Sequence, residues 1–433
     1  MLDILTQARK IAEEAEVYLV TAEETPIRFE ANRLKHIQGK QKTAVALRLI
    51  RQGRIGYGTS TTLDDAQSLV SNALETAQFG SKARFEFPAP SPYPRVSVFD
   101  PEVASVPIEA MVRLGEEMIG MITAHTPDIV CEGGVTKEII SVRIINSRGG
   151  EMEYKKSIFS MGIEGSLIRG TDMLFVGDSQ YSCHPLTEAK SVAGVTIKQL
   201  ELTKNQASVP SQSLPVIFTP NGIASALISP LLVALNGKTI LEGASPIGDK
   251  LGQAVFNEAL SLRDDPTLAY CPGSRPGDGE GVPSQCTPLI EKGVVTGFLY
   301  DLQTAAQAGT RSTGNGSRSR GGLPSPAPSA IVIAPGTTTL DEMVQDIKEG
   351  LIIEHLMGAQ QGNILGGDFS GNVLLGYKVE NGKIVGRVKD TMVSGNIYQV
   401  LKQVTAIGSE AKWVGGFLNT PPLYCPNLSV ASK

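Results

Sequence analysis

Four places in this sequence hold residue types that could act on a ligand. The glycine-rich stretch PGDGEGVP carries Asp278 and Glu280 two residues apart, a pairing suited to a cation or a substrate amine. Downstream, GTRSTGNGSRSRGG sets Arg311, Arg318 and Arg320 on one loop, where guanidinium groups could bind a peptide carboxylate or a phosphate. Glu354 and His355 sit side by side in GLIIEHLMG. They approach the inverted H-x-x-E-H zinc pattern, but Leu351 stands where the first histidine belongs. Lastly, Gly237-Lys238-Thr239 looks like the end of a phosphate-binding loop, and the apolar run before it looks like a helix fit for a metal site.

Spacing narrows these possibilities. A phosphate loop needs glycine five residues before Gly237, where Leu232 stands, and its neighbours are bulky where bare backbone N–H groups should cradle phosphate. Asn236-Gly237 therefore reads as a helix stop. Gly277, Gly279 and Gly281 form part of a dinucleotide fingerprint, but no apolar strand leads into them, which leaves a turn. His36, His125, His184 and His355 lie far apart, and no two make an H-E-x-x-H pair. His184 and Glu188 have i, i+4 spacing with Pro185 between them, the pattern of a local cap. Around Ser370, GGDFSGN puts glycine at the wrong offset for a nucleophile elbow, so Ser370 reads as a turn residue. For Asp278 with Glu280, and for the three arginines, a ligand contact and a plain solvated loop both stay open. On residues alone there is no catalytic constellation.

Three units must position these residues. In residues 1–87, MLDILTQARKIAEEAEV is an amphipathic helix with Leu2, Leu5, Ala8, Ile11, Ala12 and Ala15 on one face. VYLVTA and PIRFEANRLKHI read as strands, and TAVALRLIRQGRIGYGTST as a hairpin turning at Gln52-Gly53. Thr62-Leu63-Asp64-Asp65 resembles a capping box before a helix that runs from Leu63 to Ala77. FPAPSPYP, stiffened by its prolines, is the first linker. The second unit, 105–205, holds a helix from Ile108 to Ala124, long strands in EIISVRIINSRGGEMEYKKSIFSMGIEG, and a helix near Leu186 to Lys204. QASVPSQSL is the second linker. The third unit, 215–433, alternates short apolar runs with glycine-rich loops, including the low-complexity loop 309–329, and reads as one larger sheet-rich domain.

Composition excludes several function classes. At 433 residues the chain can bury a substantial core, and with 41% apolar and 19% charged residues it reads as globular. A net charge of -5 and 5% aromatics leave no general attraction for nucleic acid or anionic membrane and few platforms for base stacking. Cys131, Cys183, Cys271, Cys286 and Cys425 are odd in number and never in C-x-x-C spacing, which argues for reduced thiols. The most apolar window, 215 to 235, is interrupted by Pro220, Asn221 and Pro230, so no membrane span is expected. With no signal-peptide pattern at the amino terminus, a cytoplasmic location is the expectation.

The glycine-rich landmarks of the carboxyl-terminal half follow a recognisable order. GASPIGDKLGQAVF, DGEGVPSQCTPLIEKGVVTGFLYDLQTAAQAGTRSTGNGSR, GLIIEHLMGAQQG and GDFSGNVLLGYKVENGKIVGRVKDTMVSGNIYQVLKQVTAIGSE closely resemble the TldD/PmbA family. RFEANRLKHIQGKQKTAVALRLIRQGRIGYGTST and the IINSRGG turn extend the resemblance through the amino-terminal half. It implies an α+β fold with helix-flanked mixed or antiparallel sheets.

The resemblance also implies two kinds of subunit. The TldD type carries H-E-x-x-x-H on a helix and, with a cysteine near the carboxyl terminus, is a zinc peptidase that cuts unfolded peptides. The PmbA type, also called TldE, lacks that motif and pairs with TldD. Counting back from Ser245 without a gap, the first His position falls on Ile228, the Glu on Ser229 and the second His on Val233. None of these can hold zinc with a general base beside it. Cys425 in PPLYCPN falls beyond the family's cysteine, whose place is closer to Trp413-Val414-Gly415.

The leading expectation is therefore a PmbA/TldE-like subunit without its own zinc site, with zinc expected in a TldD-type partner. It would partner a TldD-like catalytic subunit or itself and would contact unfolded peptide. A second expectation is a self-sufficient peptidase with dispersed ligands, namely His355, Glu354, Asp278 and Glu280. A third, following the family's label of gyrase modulator, is a protein that binds a DNA topoisomerase without touching nucleic acid directly.

Overall fold

A computed structural model describes residues 1–319 and 321–432. Arg320 lies outside the described residues. The amino-terminal half is built on one sheet. Its elements are α1 (Leu2–Ala8), β1 (Glu14–Glu30), β2 (Arg33–Ile37), β3 (Lys40–Arg51), β4 (Arg54–Ser60), α2 (Ala66–Ala77), α3 (Pro101–Ser105), α4 (Ile108–His125), β5 (Val130–Asn146), β6 (Glu151–Arg169), β7 (Asp172–Ser182) and α5 (Lys190–Leu202). The strands run antiparallel in the order β4-β3-β1-β5-β6-β7, with β2 also on β1. β1 pairs with β5 from Glu16↔Asn146 to Phe29↔Gly133, so stretches 1–87 and 105–205 share this sheet.

Local chemistry explains where these elements differ from expectation. The two strands expected between Val17 and Ile37 include a single 17-residue β1 that passes straight through Pro26. Pro26 sits in the gap where β3 has ended at Glu24↔Lys40 and β2 has yet to start at Ile27↔Ile37, so its missing N–H takes no ladder bond. The first helix stops at Ala8, and Ala15 is a buried strand residue instead. Helix α2 begins at Ala66 rather than Leu63, because Asp65 is the residue whose carboxylate accepts the Ser68 N–H at 3.0 Å. α5 is likewise shorter than 186–204. The Gln52-Gly53 hairpin is present, with both residues at positive φ (50° and 69°), as a tight β-turn of this hand requires.

Strand alternation splits the sheet into two differently covered faces. One face carries Val17, Ile27, Phe29, Leu47, Cys131, Phe159 and Met161, and helices α1, α2, α4 and α5 bury it. Gly115 of α4 meets the Phe29 ring so closely that a Cβ there would lie 2.1 Å from it. The other face carries Tyr18, Ala46, Val142, Ile144 and Met152, which form a separate small core at one end of the strands. At 17 and 19 residues, β5 and β6 span about 55–65 Å at ~3.3 Å per residue, far more than that core covers.

The carboxyl-terminal half continues through β8 (Gln212–Phe218), α6 (Pro220–Ala226), α7 (Ile228–Ala234), α8 (Gly237–Leu241), β9 (Leu262–Asp264), β10 (Thr287–Glu291), β11 (Val294–Val295), α9 (Leu302–Gln307), β12 (Gly316–Ser317), β13 (Ser325–Pro326), β14 (Ile331–Ile333) and α10 (Leu340–Asp346). It ends with β15 (Glu349–Met357), β16 (Asp368–Glu380), β17 (Lys383–Arg387), β18 (Thr391–Asn396), α11 (Ile397–Lys402), β19 (Ala406–Ile407), β20 (Lys412–Val414), β21 (Leu418–Thr420) and β22 (Leu423–Ser432). Strands β15-β8-β22-β18-β16 close into a ring through β15–β16, with β17 and β19 attached. A six-stranded sheet, β11-β10-β9-β14-β21-β20, and a β12-β13 pair complete the half. Parallel pairing of β8 with β15 and of β14 with β21 makes these sheets mixed. Helices α6 and α7 pack into the largest core through Ile223, Ala226, Leu227, Ile228 and Leu231. Among the described residues, no helix is long and apolar enough to cross a membrane.

Candidate functional site

The uncovered part of the long sheet is the floor of a groove of about 1090 Å³, and the first turns of α6 and the end of β15 form the facing wall. Cross-strand rows build the floor. In one, Glu132 on β5 faces Glu164 on β6, which faces Gly177 on β7. The next runs Arg28, Gly134, Gly162, Ser179, and the one after it Thr136, Ser160, Tyr181. The outer edge of β7 is capped there by Gln199 of α5. The Gly177 N–H donates to its Oε1 at 2.7 Å, and its Nε2 donates to the Gly177 carbonyl at 3.2 Å. That side chain satisfies a strand edge that would otherwise be open to another chain.

The facing wall takes its polar groups from an irregularity in β15. Its pairing with β16 shifts register around His355, between Ile353 and Leu356, a bulge that turns Glu354 and His355 toward the groove. Glu354 accepts the hydroxyl of Thr219, the N-cap of α6, at 3.0 Å, and burial pushes its carboxyl above the usual range. His355 is solvent-accessible, yet its partly desolvated imidazole has a lowered pKa, opposed by the charge of Glu164 across the groove. Asp178 is held by Lys412, whose Nζ lies 2.7 Å from Oδ1. Exposed Phe175, Tyr181 and Met357 add apolar surface. The groove therefore offers an acidic floor, an apolar rim and one imidazole.

The other candidate acids lie elsewhere, and the structure reverses the picture of a solvated loop. Glu280 and Arg318 are buried with Glu16 and Arg48 in a cluster of two carboxylates and two guanidinium groups, none more than 2% exposed. Glu16 and Arg48 are direct cross-strand partners on β1 and β3, 3.2 Å apart. Arg48 reaches Glu280 at 2.6 Å, and Arg318 pairs with Glu16 and donates through Nε to the Gly279 carbonyl at 2.5 Å. Phe85 and Phe87 flank the Arg48 guanidinium at 4.8 and 4.9 Å from the ring centroids. The proline-rich stretch that follows is thus packed against the cluster, and Tyr93 donates to the Gly281 carbonyl at 2.8 Å. Asp278 accepts the N–H groups of Glu280, Val282 and Gly316, while burial and then the Glu280 charge push its carboxyl up to about 7. Residues 316–319 form a strap against the sheet through Gly316 and Arg318, and Tyr57 donates to the Gly321 carbonyl. Arg311 is exposed.

Glu354 and His355 line the groove, whereas Asp278 and Glu280 do not, so the structure does not bring the four dispersed ligands together. Among the described residues, no three His, Cys, Asp or Glu side chains gather as a metal-ligand set. Ile228, Ser229 and Val233 all fall in α7, Ile228 wholly buried in the core and the other two partly buried. Two hydrocarbon side chains and one hydroxyl do not fit zinc, which takes imidazole, thiolate or carboxylate. Cys425 is buried in β22, and burial pushes its thiol up to about 12. Ser370 is a strand residue paired with Ser394 rather than a turn residue, and His184 bonds Asp100 at 2.6 Å rather than capping with Glu188. Sequence reasoning missed Glu16, Arg48, Glu132 and Glu164. A charged residue at an alternating strand position reads as solvated unless the opposite face is known to be covered.

Two family models match the chain: PmbA/TldA metallopeptidase C-terminal domain over residues 211–432, and PmbA/TldA metallopeptidase domain 1 over residues 15–77. A protein of Methanothermobacter thermautotrophicus named metalloprotease is 24% identical, with 96% of this chain and 92% of that protein aligned. The crystal structure of TldE from Thermococcus kodakarensis superposes with a TM-score of 0.90 at 22% identity, covering 100% of both chains. A proposed modulator of a DNA gyrase from Thermotoga maritima gives 0.88 at 21% identity, covering 99% of this chain and 98% of that one. At such identities the two structures establish the fold alone.

Proposed function

Since this chain belongs to the PmbA/TldD metallopeptidase family, we propose that it is a PmbA/TldE-like subunit of a two-component zinc peptidase that processes unfolded peptides. It performs no zinc chemistry of its own. The observation that carries this reading is α7: at the positions where the resemblance places two histidines and a glutamate stand Ile228, Val233 and Ser229, on a helix packed into the core. Hydrocarbon packing gives the helix a reason to be buried and removes any reason for an open polar cavity beside it. The groove supplies what a non-catalytic subunit needs instead, a surface with polar floor and apolar rim. In the assembled peptidase the chain's residues bind and orient peptide, and the partner supplies the metal.

The test mixes the purified chain with a TldD-type subunit. Co-elution in size-exclusion chromatography, with cleavage of an unfolded peptide by the mixture and none by this chain alone, is the expected result. Absence of both association and any change in cleavage would sink the proposal, as would robust cleavage by the chain alone.

A further inference from the structure

The groove floor contains an opposed pair of carboxylates that the fold itself does not explain. Glu132 and Glu164 are direct cross-strand partners on β5 and β6, and both are exposed. Like charges placed directly opposite in a sheet are destabilising. Other acids of the groove are answered: Glu30 by Lys35 at 3.3 Å, Asp178 by Lys412 at 2.7 Å, and Glu354 by the Thr219 hydroxyl at 3.0 Å. Among the described residues, neither Glu132 nor Glu164 makes an ion pair or a side-chain hydrogen bond. Arg28, the floor's own cation, lies in the next row opposite Gly134.

The surroundings are shaped for an occupant. Gly134 and Gly162 fill the adjacent row and Gly177 ends the carboxylate row, so no side chain rises from those positions. Phe175 and Tyr181 flank the rows on β7, and Met357 and His355 stand on the facing wall. Resting on the peptide reading above, we propose that the groove selects extended peptides with a cationic group, an ammonium or a guanidinium, which sits between Glu132 and Glu164. Charge complementarity chooses this occupant: two carboxylates without an ion pair at the centre, Glu164 meeting only the field of the His355 imidazole, and aromatic surface at the rim suit a lysine or arginine with its hydrocarbon stem. The acid pair then persists despite its cost to the free protein because it is neutralised on binding.

Fluorescence anisotropy with the full chain tests this. The probes are short labelled peptides with blocked termini, identical except for a central lysine or glutamine, and a third glutamine peptide with a free amino terminus. The lysine peptide is expected to bind about 10-fold more tightly than the blocked glutamine peptide at low salt, with the gap shrinking as salt rises. E132Q/E164Q closes the gap by weakening the lysine peptide more than the glutamine peptide, and its melting temperature is equal to or above that of the unsubstituted protein, which shows that it folds. The third probe distinguishes a terminal ammonium from a side chain as the source of the charge; a gain over its blocked counterpart supports the proposal through the terminus. Equal affinity for all probes overturns the proposal and leaves peptide binding standing. Binding of none overturns both readings. Abolition of the lysine preference by calcium at stoichiometric concentration would make the pair a divalent-cation site and also overturn it.

Discussion

Removing the Glu280 carboxylate should be among the most damaging single changes in the molecule. Glu280 Oε1 accepts from Arg48 at 2.6 Å, and Oε2 accepts the Leu302 N–H at the start of α9 at 2.7 Å. With Glu16, Arg48 and Arg318 it makes a buried set of two negative and two positive charges. Glu280→Ala leaves that set with one uncompensated positive charge and a backbone N–H without its acceptor. Breaking a buried pair from one side costs about 3–5 kcal/mol, which includes the desolvated partner left behind. Arg48→Met/Glu280→Leu instead removes one charge of each sign and leaves Glu16 with Arg318, so the double substitution should cost less than Glu280→Ala alone. Urea denaturation followed by the fluorescence of Trp413, the chain's one tryptophan, measures all the variants. A loss below about 1 kcal/mol for Glu280→Ala would mean the cluster is effectively solvated. Costs for Arg48→Met and Glu280→Leu that sum to the double within about 0.5 kcal/mol would mean its members are not coupled; either result refutes the reasoning.

Two further perturbations follow from the packing and the buried charges. Gly115→Ala puts a Cβ 2.1 Å from the Phe29 ring in the helix-covered core, and overpacking there should destabilise by about 1–3 kcal/mol in the same denaturation assay. Lys156, which donates to the Ser274 carbonyl at 2.9 Å, is depressed to about 8 by burial and by Arg275, while Cys183, Cys271 and Glu138 oppose the shift. Above that value the unfolded chain binds the proton and the folded chain does not, so this group makes stability rise with pH from about 8 toward the unfolded value. From pH 9 upward Cys183, raised to about 11, acts in the opposite direction, so the window to measure is pH 8–9. Melting temperatures there should rise for the unsubstituted protein relative to Lys156→Met; parallel curves for the two would contradict the assignment.

Much of the fold was legible because local rules sufficed. The Gln52-Gly53 turn, the helix over 108–124 and the long strands around IINSRGG follow from turn chemistry and apolar period. The continuity of β1 was not, because Pro26 reads as a break until the handover from β3 to β2 is known. The site divides in the same way. The apolar character of the 222–242 stretch was visible directly, since Ile228 and Leu231 cannot ligate a metal wherever they lie. Glu354 and His355 were found as neighbours, although only the bulge in β15 brings both to the groove. Asp278 and Glu280 misled because acids between glycines normally face water. What buries them is a strap whose contacts lie 38 and 39 residues away in sequence and a sheet more than 200 residues away, including Arg48, 232 residues from Glu280. Glu132 and Glu164 become an opposed pair only through the β5–β6 register, which no local pattern specifies.

The central claim, that zinc chemistry belongs to a partner and not to this chain, is tested most directly by elemental mass spectrometry. The protein is purified alone and in complex with a TldD-type subunit, each dialysed mildly without chelator. Near-zero zinc in the chain alone and about one zinc per complex is the predicted result. One tightly held zinc in the chain alone would contradict the account, and Glu354 and His355 would be the first ligands to substitute.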